Sequence, residues 1–381
     1  MTLAYYPGCS LRHSSAEFDK ATRRVLDVLG VEYKEVPDWT CCGSTPAHMM
    51  DHLLAQSLAA RNLRQAAEVG DQLLAPCPSC YQREKNAEIE IHNDDDFRAE
   101  INEMLDKPYT GHVMVYALPE YLTKYVGEEK IASLVKVDLS QLKVVPYYGC
   151  LLGRPSDLTG ECDNEQPLWM DLLLQAAGAD VKWWNYKTEC CGASVGMPKM
   201  EIQRRLSGKV LCQALAAGAE AVVVCCPLCH VNLDLKQAQI NKFNGTDYSV
   251  PILYLPQVLG LAFGLSADDV MLSKNVVDPR PLVARAIAEA AVVKAEEEKK
   301  AVEKAAKAAA REAKKAAGEG ADAPAEAATA EAAAPVAAEG ATAPEGAAPA
   351  APAVAAAPAA EPAAPSSVEP TPETADAEAK P

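Results

Sequence analysis

The stretch "DWTCCGSTPAH", residues 38–48, sets two cysteines side by side ahead of a glycine, and "KTECCGASVGM", residues 187–197, does so again. Outward from these two sites the flanking sequence repeats as well. "TLAYYPGC", ending at Cys9, matches "KVVPYYGC", ending at Cys150. "PCPSC", with Cys77 and Cys80, matches "CPLC", with Cys226 and Cys229; Cys42 to Cys77 and Cys191 to Cys226 are both 35 positions apart. Even the ends agree, "VYALPEYLTKYVG" (115–127) with "ILYLPQVLGLAFG" (252–264), Pro119 and Pro256 falling in step. Such self-similarity is an internal repeat.

Within each repeat the hydrophobic period alternates between strand and helix. An extended run reaches the first cysteine, "SAEFDKATRRVLDVLG" or "PLWMDLLLQAAG" has helical spacing, and "VEYKEV" or "ADVKWW" leads to the cysteine pair. A second helical stretch follows, "HLLAQSLAARNLRQAAEVG" or "KMEIQRRLSGKVLCQALAAG", and then an apolar strand, "DQLLA" or "AEAVVV", delivers the CxxC. Alternating strands and helices predict an α/β fold of two pseudo-symmetric repeats, each a mostly parallel sheet flanked by helices. Ligand sites in such sheets lie beyond the carboxyl ends of the strands, where all three cysteine groups fall. The predicted domains are 1–140 and 141–285. A charged, alanine-rich, solvated helix over 286–317 and a disordered Ala/Pro/Glu tail over 318–381 are expected beyond them.

Composition removes several functions. The net charge is −17, and residues 318–381 hold eleven acidic residues against Lys380 alone, so −10 belongs to the tail. With no basic stripe there is no case for nucleic-acid binding. The longest apolar stretch, "ILYLPQVLGLAFGL", has 14 residues and a proline, short of the ~18–20 that span a bilayer. "MTLAYYPGC" enters a strand-like run without a basic region or cleavage site, so a cytoplasmic location is expected. Thirteen cysteines in a reducing compartment point to ligands or redox groups rather than structural disulfides.

Each repeat offers one cysteine, an adjacent pair and a CxxC: Cys9, Cys41, Cys42, Cys77 and Cys80, then Cys150, Cys190, Cys191, Cys226 and Cys229. A structural zinc takes four ligands and would strand one thiol of each five. Ordinary iron–sulfur centres also use four cysteines, so five recurring twice suggest an unusual polynuclear centre, with zinc the alternative occupant of one or both halves. Neighbours on an extended chain point to opposite sides, which lets Cys41 and Cys42 reach different metals of one cluster. Gly43 and Gly192 permit a sharp turn there, and Cys80 and Cys229 are expected to begin helices whose dipoles favour thiolate.

Other residues carry weaker signals. His48, near the first Cys-Cys-Gly, is the candidate proton donor, and Lys187 and Arg154 are candidate contacts for an anionic substrate, with a surface role as the bland reading of both. His52 is read as a solvated or capping residue. Cys212 and Cys225 are read as buried core, and Cys162 has no partner under the repeat. Trp39, Trp183 and Trp184 are expected to shield the metal site. "CPLCH" fits a c-type haem attachment pattern, but its repeat partner "CPSCY" lacks the histidine.

On "YYPGCSL", "DWTCCGSTPAH", "PCPSC", "YYGCLLGRP", "YKTECCGAS" and "CPLCHVNLD", residues 1 to about 285 resemble the CCG-domain family, and most closely the branch formed by the B subunits of heterodisulfide reductases. The resemblance implies that each five-cysteine set holds a noncubane four-iron, four-sulfur cluster, two in all. It also implies a catalytic subunit that reduces, or forms, a disulfide held between them. The partners implied are a ferredoxin-like double-cubane subunit and a flavin-containing subunit, the C-type and A-type components of such complexes. The rival is an electron-transfer subunit such as those of lactate or glycolate oxidases. Those relatives carry ferredoxin-type CxxCxxCxxxCP runs, which this chain lacks.

Overall fold

The computed structural model describes residues 2–44, 46–160, 163–196 and 198–318, with side chains through residue 309. Two four-stranded sheets form, one from each repeat. The first comprises β1 (Leu3–Tyr5), β2 (Tyr33–Glu35), β3 (Gln72–Ala75) and β4 (Met114–Ala117) in the order β2-β1-β3-β4. The second comprises β5 (Lys143–Tyr147), β6 (Asp180–Val181), β7 (Ala221–Val224) and β8 (Ile252–Tyr254) in the order β6-β5-β7-β8. Every pairing is parallel, with Leu3 opposite Tyr33 in one sheet and Lys143 opposite Asp180 in the other. The central strands are buried, "VVV" of β7 completely, as sheets covered by helices on both faces require. The tail over 319–381 lies outside the described residues.

Helices connect the strands. α1 (Ala16–Leu29) buries Phe18, Ala21, Val25 and Leu26 at helical spacing and stops at Gly30, whose φ of 71° makes the left-handed C-terminal cap. α2 (His52–Ala66) is capped by Asp51, whose carboxylate accepts the Leu54 amide at 2.7 Å. α3 (Pro78–Asn93) follows β3, and the single turn α4 (Leu118–Tyr121) follows β4. The second repeat has α5 (Trp169–Ala176), α6 (Met200–Ala216), the turn α7 (Pro227–His230) and α8 (Leu255–Ala262). Pro119 and Pro256 occupy equivalent places in the first turns of α4 and α8, where their missing N–H costs nothing. There Glu120 and Gln257 bond back to the amides of Ala117 and Tyr254, at 3.2 and 2.9 Å.

The repeats are joined through one continuous core. Phe18 of α1 stacks on Tyr254 at the end of β8, 4.4 Å between centroids and 5° from parallel, and His230 stacks on the other face of Tyr254 at 4.3 Å. Stacks of this kind contribute about 0.5–1.5 kcal/mol each beyond their buried area. The backbone amides of Lys136 and Val137 donate to the Ala262 carbonyl at 2.8 and 3.0 Å. Gln82 of α3 reaches across to donate to the carbonyls of Leu151, at 2.9 Å, and Arg154. A last helix, α9 (Arg280–Gly318), buries Val283, Ala286 and Ala290 near its start, and its described side chains are exposed from residue 291 onward.

Candidate functional site

The strand order reverses between β1 and β3, and again between β5 and β7, so that each sheet opens a crevice at its carboxyl edge. Cys9 follows β1, the pair Cys41–Cys42 follows β2, and Cys77 and Cys80 follow β3. Cys150, Cys190–Cys191 and Cys226/Cys229 follow β5, β6 and β7 in the same way. Cys77 and Cys226 are the N-caps of α3 and α7, which puts Cys80 and Cys229 in the first turn rather than at the start.

The thiols gather in two groups of five. In the first, Cys9 interacts with Cys41, Cys41 with Cys42, Cys42 with Cys80, and Cys80 with Cys77. In the second, Cys150 interacts with Cys190, and Cys191 with Cys229, which interacts with Cys226. The matching contacts agree closely: Cys42 Sγ to Cys80 Sγ is 3.4 Å and Cys191 Sγ to Cys229 Sγ is 3.5 Å. The adjacent cysteines differ in depth, although in the first pair the two thiols still meet each other. Cys41 is exposed and Cys42 only 2 % exposed; Cys190 is half-buried and Cys191 2 % exposed.

The surroundings favour thiolate at chosen positions. Hydrogen bonds from Cys41 and Cys80 pull the Cys42 thiol down to about 5, and the bond from Cys150 pulls Cys190 down to about 6. The Gly192 amide donates to Cys190 Sγ at 3.2 Å. Gly43 and Gly192 have φ of 70° and 82°, the turn that the sequence anticipates. A second pair of glycines escapes a reading centred on Cys-Cys-Gly. Gly8 and Gly149, each just before the first cysteine of its repeat, have φ of 63° and 66°, and a Cβ would lie 2.9 Å from Cys80 Sγ or 3.1 Å from Cys229 Sγ. Their only signal in the sequence is the shared "GC" of "PGC" and "YGC". Five soft donors, thiolate-stabilising amides and a backbone stripped of Cβ beside the sulfurs fit a sulfur-ligated metal group. Among the described residues, no three His, Cys, Asp or Glu side chains converge on a single ion position.

A cavity of about 640 Å³ lies between the repeats. Cys150, Cys190, Cys191, Cys226 and Cys229 all line it, with Leu151, Ala193, Ser194 and Leu228. The opposing residues come from the first repeat: Ser44 and His48 beside its Cys-Cys-Gly, then Pro78, Ser79, Gln82 and Arg83 of α3. His48 is exposed on this lining.

Lys187 is placed otherwise than expected. It is fully buried, and its ammonium donates to Asp171 at 2.7 Å and to the Pro167 carbonyl at 3.2 Å, with the Trp183 ring 4.4 Å away. A buried charge needs such a partner, so this ammonium is committed to Asp171 and does not line the cavity. Arg154 pairs with Glu165 and donates to Thr188. His52 is exposed, within reach of Glu90, and the cap belongs to Asp51. Cys225 is buried but Cys212 is exposed, because the apolar face of α6 runs through Val210, Leu211 and Ala214. Trp184 is buried against the Pro146 carbonyl, whereas Trp183 is 62 % exposed. Cys162 lies outside the described residues.

Comparison with known proteins agrees with this geometry. The cysteine-rich CCG domain matches the chain twice, over residues 3–83 and 144–234. Over 282 residues the chain is 33 % identical to the B subunit of the ferredoxin/F(420)H(2)-dependent CoB-CoM heterodisulfide reductase of Methanosarcina acetivorans, covering 72 % of this chain and 93 % of that one. It is 32 % identical over 282 residues to the membrane anchor subunit of the 8-methylmenaquinol:fumarate reductase of Wolinella succinogenes, covering 73 % and 98 %. Lactate utilization protein A 2 of Bacillus cereus matches at 27 % over 177 residues, 46 % of this chain and 65 % of that protein. A crystal structure of a hypothetical protein from Helicobacter pylori has a TM-score of 0.60 at 14 % identity, over 73 % of this chain and 52 % of that one, a likeness of fold alone.

Fold, site and relatives together define an iron–sulfur oxidoreductase component, one that works with other subunits. The chain belongs to the CCG cysteine-rich domain family, alongside the B subunits of heterodisulfide reductases. Among the described residues no helix is long and apolar enough to cross a membrane.

Proposed function

We propose that this chain is the catalytic subunit of a heterodisulfide reductase-like complex, which reduces or forms a disulfide in the cavity between its repeats. Cys9, Cys41, Cys42, Cys77 and Cys80 would hold one noncubane four-iron, four-sulfur cluster, and Cys150, Cys190, Cys191, Cys226 and Cys229 the other. Such clusters, when bound, supply single electrons. The observation that carries the reading is the cavity itself, with all five thiols of the second set on it and, opposite, residues that adjoin the thiols of the first: Ser44 next to its Cys-Cys-Gly, and Pro78 and Ser79 between Cys77 and Cys80.

Cleaving a disulfide consumes two electrons and two protons and yields two thiols. The electrons enter from a ferredoxin-like double-cubane subunit, itself fed by a flavin-containing subunit. His48, exposed on the cavity, holds a proton on an imidazole nitrogen for a departing sulfur. Leu151 and Ala193, both half-buried on the cavity wall, limit water around the reacting sulfurs. Solvent supplies the second proton, and in the direction of disulfide formation His48 accepts one proton and solvent the other.

The second reading is a relay subunit that passes electrons without binding a thiol. The lactate utilization relative supports it over less than half of the chain, and the fumarate reductase relative supports a redox partner other than a disulfide. Anaerobic purification followed by iron and acid-labile sulfide analysis tests the clusters, and zinc without iron would end both readings. Electron paramagnetic resonance of the oxidised protein separates the two. A spectrum that changes on adding thiol or disulfide supports the cavity as a substrate site; one that ignores a panel of thiols of varied size and charge supports the relay.

A further inference from the structure

The cavity between the repeats carries a charge that the proposed chemistry does not use. Arg83, in the second turn of α3, lines it half-buried. Most of the chain's arginines are paired: Arg12, Arg23, Arg24, Arg61, Arg64, Arg98, Arg154, Arg280 and Arg285 each reach a carboxylate. Arg83 meets no carboxylate, hydrogen-bond acceptor or aromatic ring among the described residues. No carboxylate answers it from the cavity wall either, since none of the described lining residues is Asp or Glu and the anionic groups there are the cysteine sulfurs of the second set, although the chain as a whole carries −17.

We infer that Arg83 is the specificity-determining residue of this cavity, and that the thiol or disulfide it accepts carries an oxyanion, a carboxylate, sulfonate or phosphate. This rests on the reading of the cavity as a disulfide site. A guanidinium is always charged and presents a planar fork of donors that matches such a group. Its place is set by its neighbour: Gln82 bonds across the repeats to the Leu151 and Arg154 carbonyls, fixing this turn of α3 against the second half. Pro78 and Ser79, in the first turn of the same helix, also line the cavity, so the positive end of a 16-residue helix adds to the field. The position is particular to the first repeat. Its counterpart in the second is Asn232, whose amide is turned to the carbonyl of Cys191 at 3.3 Å and to its Sγ at 3.6 Å. The duplicated halves thus place a thiol-supporting amide on one side and an uncommitted cation on the other. The anion would be held by the first repeat while the sulfur meets the five thiols of the second.

The test uses the full-length, iron-loaded protein, oxidised and kept anaerobic. The paramagnetic resonance spectrum is titrated with 3-mercaptopropionate and with 3-mercaptopropanol, which differ in the carboxylate alone. The wild-type protein should respond to the acid at a concentration about tenfold lower than to the alcohol, as a charge-assisted bond to guanidinium predicts. Arg83→Gln should raise the half-effect concentration of the acid about tenfold and leave that of the alcohol unchanged, with Arg83→Lys in between; iron and sulfide content confirm that each variant is loaded. Equal wild-type responses to the two thiols overturn the inference without touching the disulfide reading, and they need no variant to fold. An acid response that survives Arg83→Gln in a loaded protein also overturns it. Silence to both thiols removes the disulfide reading and this inference with it.

Discussion

The two five-thiol sets match closely in backbone and differ in what stands behind them. Tyr6 donates to the Thr40 carbonyl at 2.7 Å, and Tyr147 donates to the equivalent Glu189 carbonyl at 2.5 Å; the sulfur contacts and the glycines beside them also correspond. Behind the first set, Asn62 donates to the Thr40 carbonyl and to Glu84 Oε1 at 2.9 Å. Glu84 is fully buried, and its other oxygen has no partner among the described residues. The second repeat puts Leu211 and Leu233 at those two positions, both fully buried. Duplication has kept the sulfur-gathering frame, where geometry tolerates little change, and has let the polar support diverge. The first set is backed by a group that can exchange a proton, whereas the second has hydrocarbon at those two positions and takes its polar support from Ser207 and Asn232, which donate to the Cys191 carbonyl at 2.8 and 3.3 Å.

The strongest way to break this comparison is to remove the deepest thiol from each set. Cys42→Ala should abolish the signal of the first centre and Cys191→Ala that of the second, each leaving about half of the iron, because the metal-binding free energy of each set is its own. Loss of all iron from either variant would show that the sets are not independent, and full retention would remove these cysteines from the ligand set.

The buried carboxyl offers the next largest effect. Burial pushes Glu84 well above its usual value of 4.5, with Asn62 opposing, so the folded protein keeps a proton that the unfolded chain releases. As pH rises above ~4.5 the unfolded state binds fewer protons than the native state, and stability falls by about 1.4 kcal/mol per pH unit until the native carboxyl ionises. Glu84→Gln keeps the Asn62 bond without the proton. Unfolding midpoints of the two proteins should diverge in favour of the glutamine variant between pH 5 and pH 8, and Glu84→Leu, which imitates the second repeat, should flatten the dependence as well. Parallel curves would mean that Glu84 is ionised in the folded protein and that the asymmetry is one of packing only.

The glycines sharpen the comparison within the shared frame. Alanine at residue 8 or 149 would take a left-handed conformation at about 1–2 kcal/mol, and its methyl would meet a sulfur at 2.9 or 3.1 Å. Both variants should lose iron on purification, Gly8→Ala the more severely. An iron content equal to wild type in both would mean that the thiols can withdraw without losing the metal.

These residues also mark where the sequence is readable. Parallel pairing and the gathering of cysteines at the carboxyl edges follow from a repeat whose period and turn residues are explicit, whereas the order of the strands comes from the structure. Gly43 and Gly192 stand out because they complete a motif. Gly8 and Gly149 are equally visible as letters, but their role depends on Cys80 and Cys229 arriving from a distant helix. Lys187 misleads for a related reason. A lysine beside a cysteine pair reads as surface until the lone aspartate in "PLWMDLLL", Asp171, is seen beneath it. Arg83 draws no attention in the sequence because a free charge is defined by the carboxylates that fail to reach it, and that is a property of the fold. Trp183 shows the limit of composition, since it and its neighbour Trp184 point opposite ways from an extended segment.

Cysteines outside the two sets give the finest comparison and the smallest effects. Cys225 adjoins Cys226, is fully buried, and burial pushes its thiol up from the usual range. Its counterpart in the first repeat is Pro76, which has no sulfur, so a ligand role at Cys225 would break the symmetry that every other thiol of the site obeys. Cys225→Ala should therefore keep full iron and lose on the order of 1 kcal/mol from a small core void. Cys212, on the outer face of α6, should tolerate the same change within about 0.5 kcal/mol. It alone of the two should react with iodoacetamide in the folded protein, because access governs thiol reactivity. Iron lost from Cys225→Ala would enlarge the second set to six thiols, and the two halves would then differ in the metal group they hold as well as in its backing.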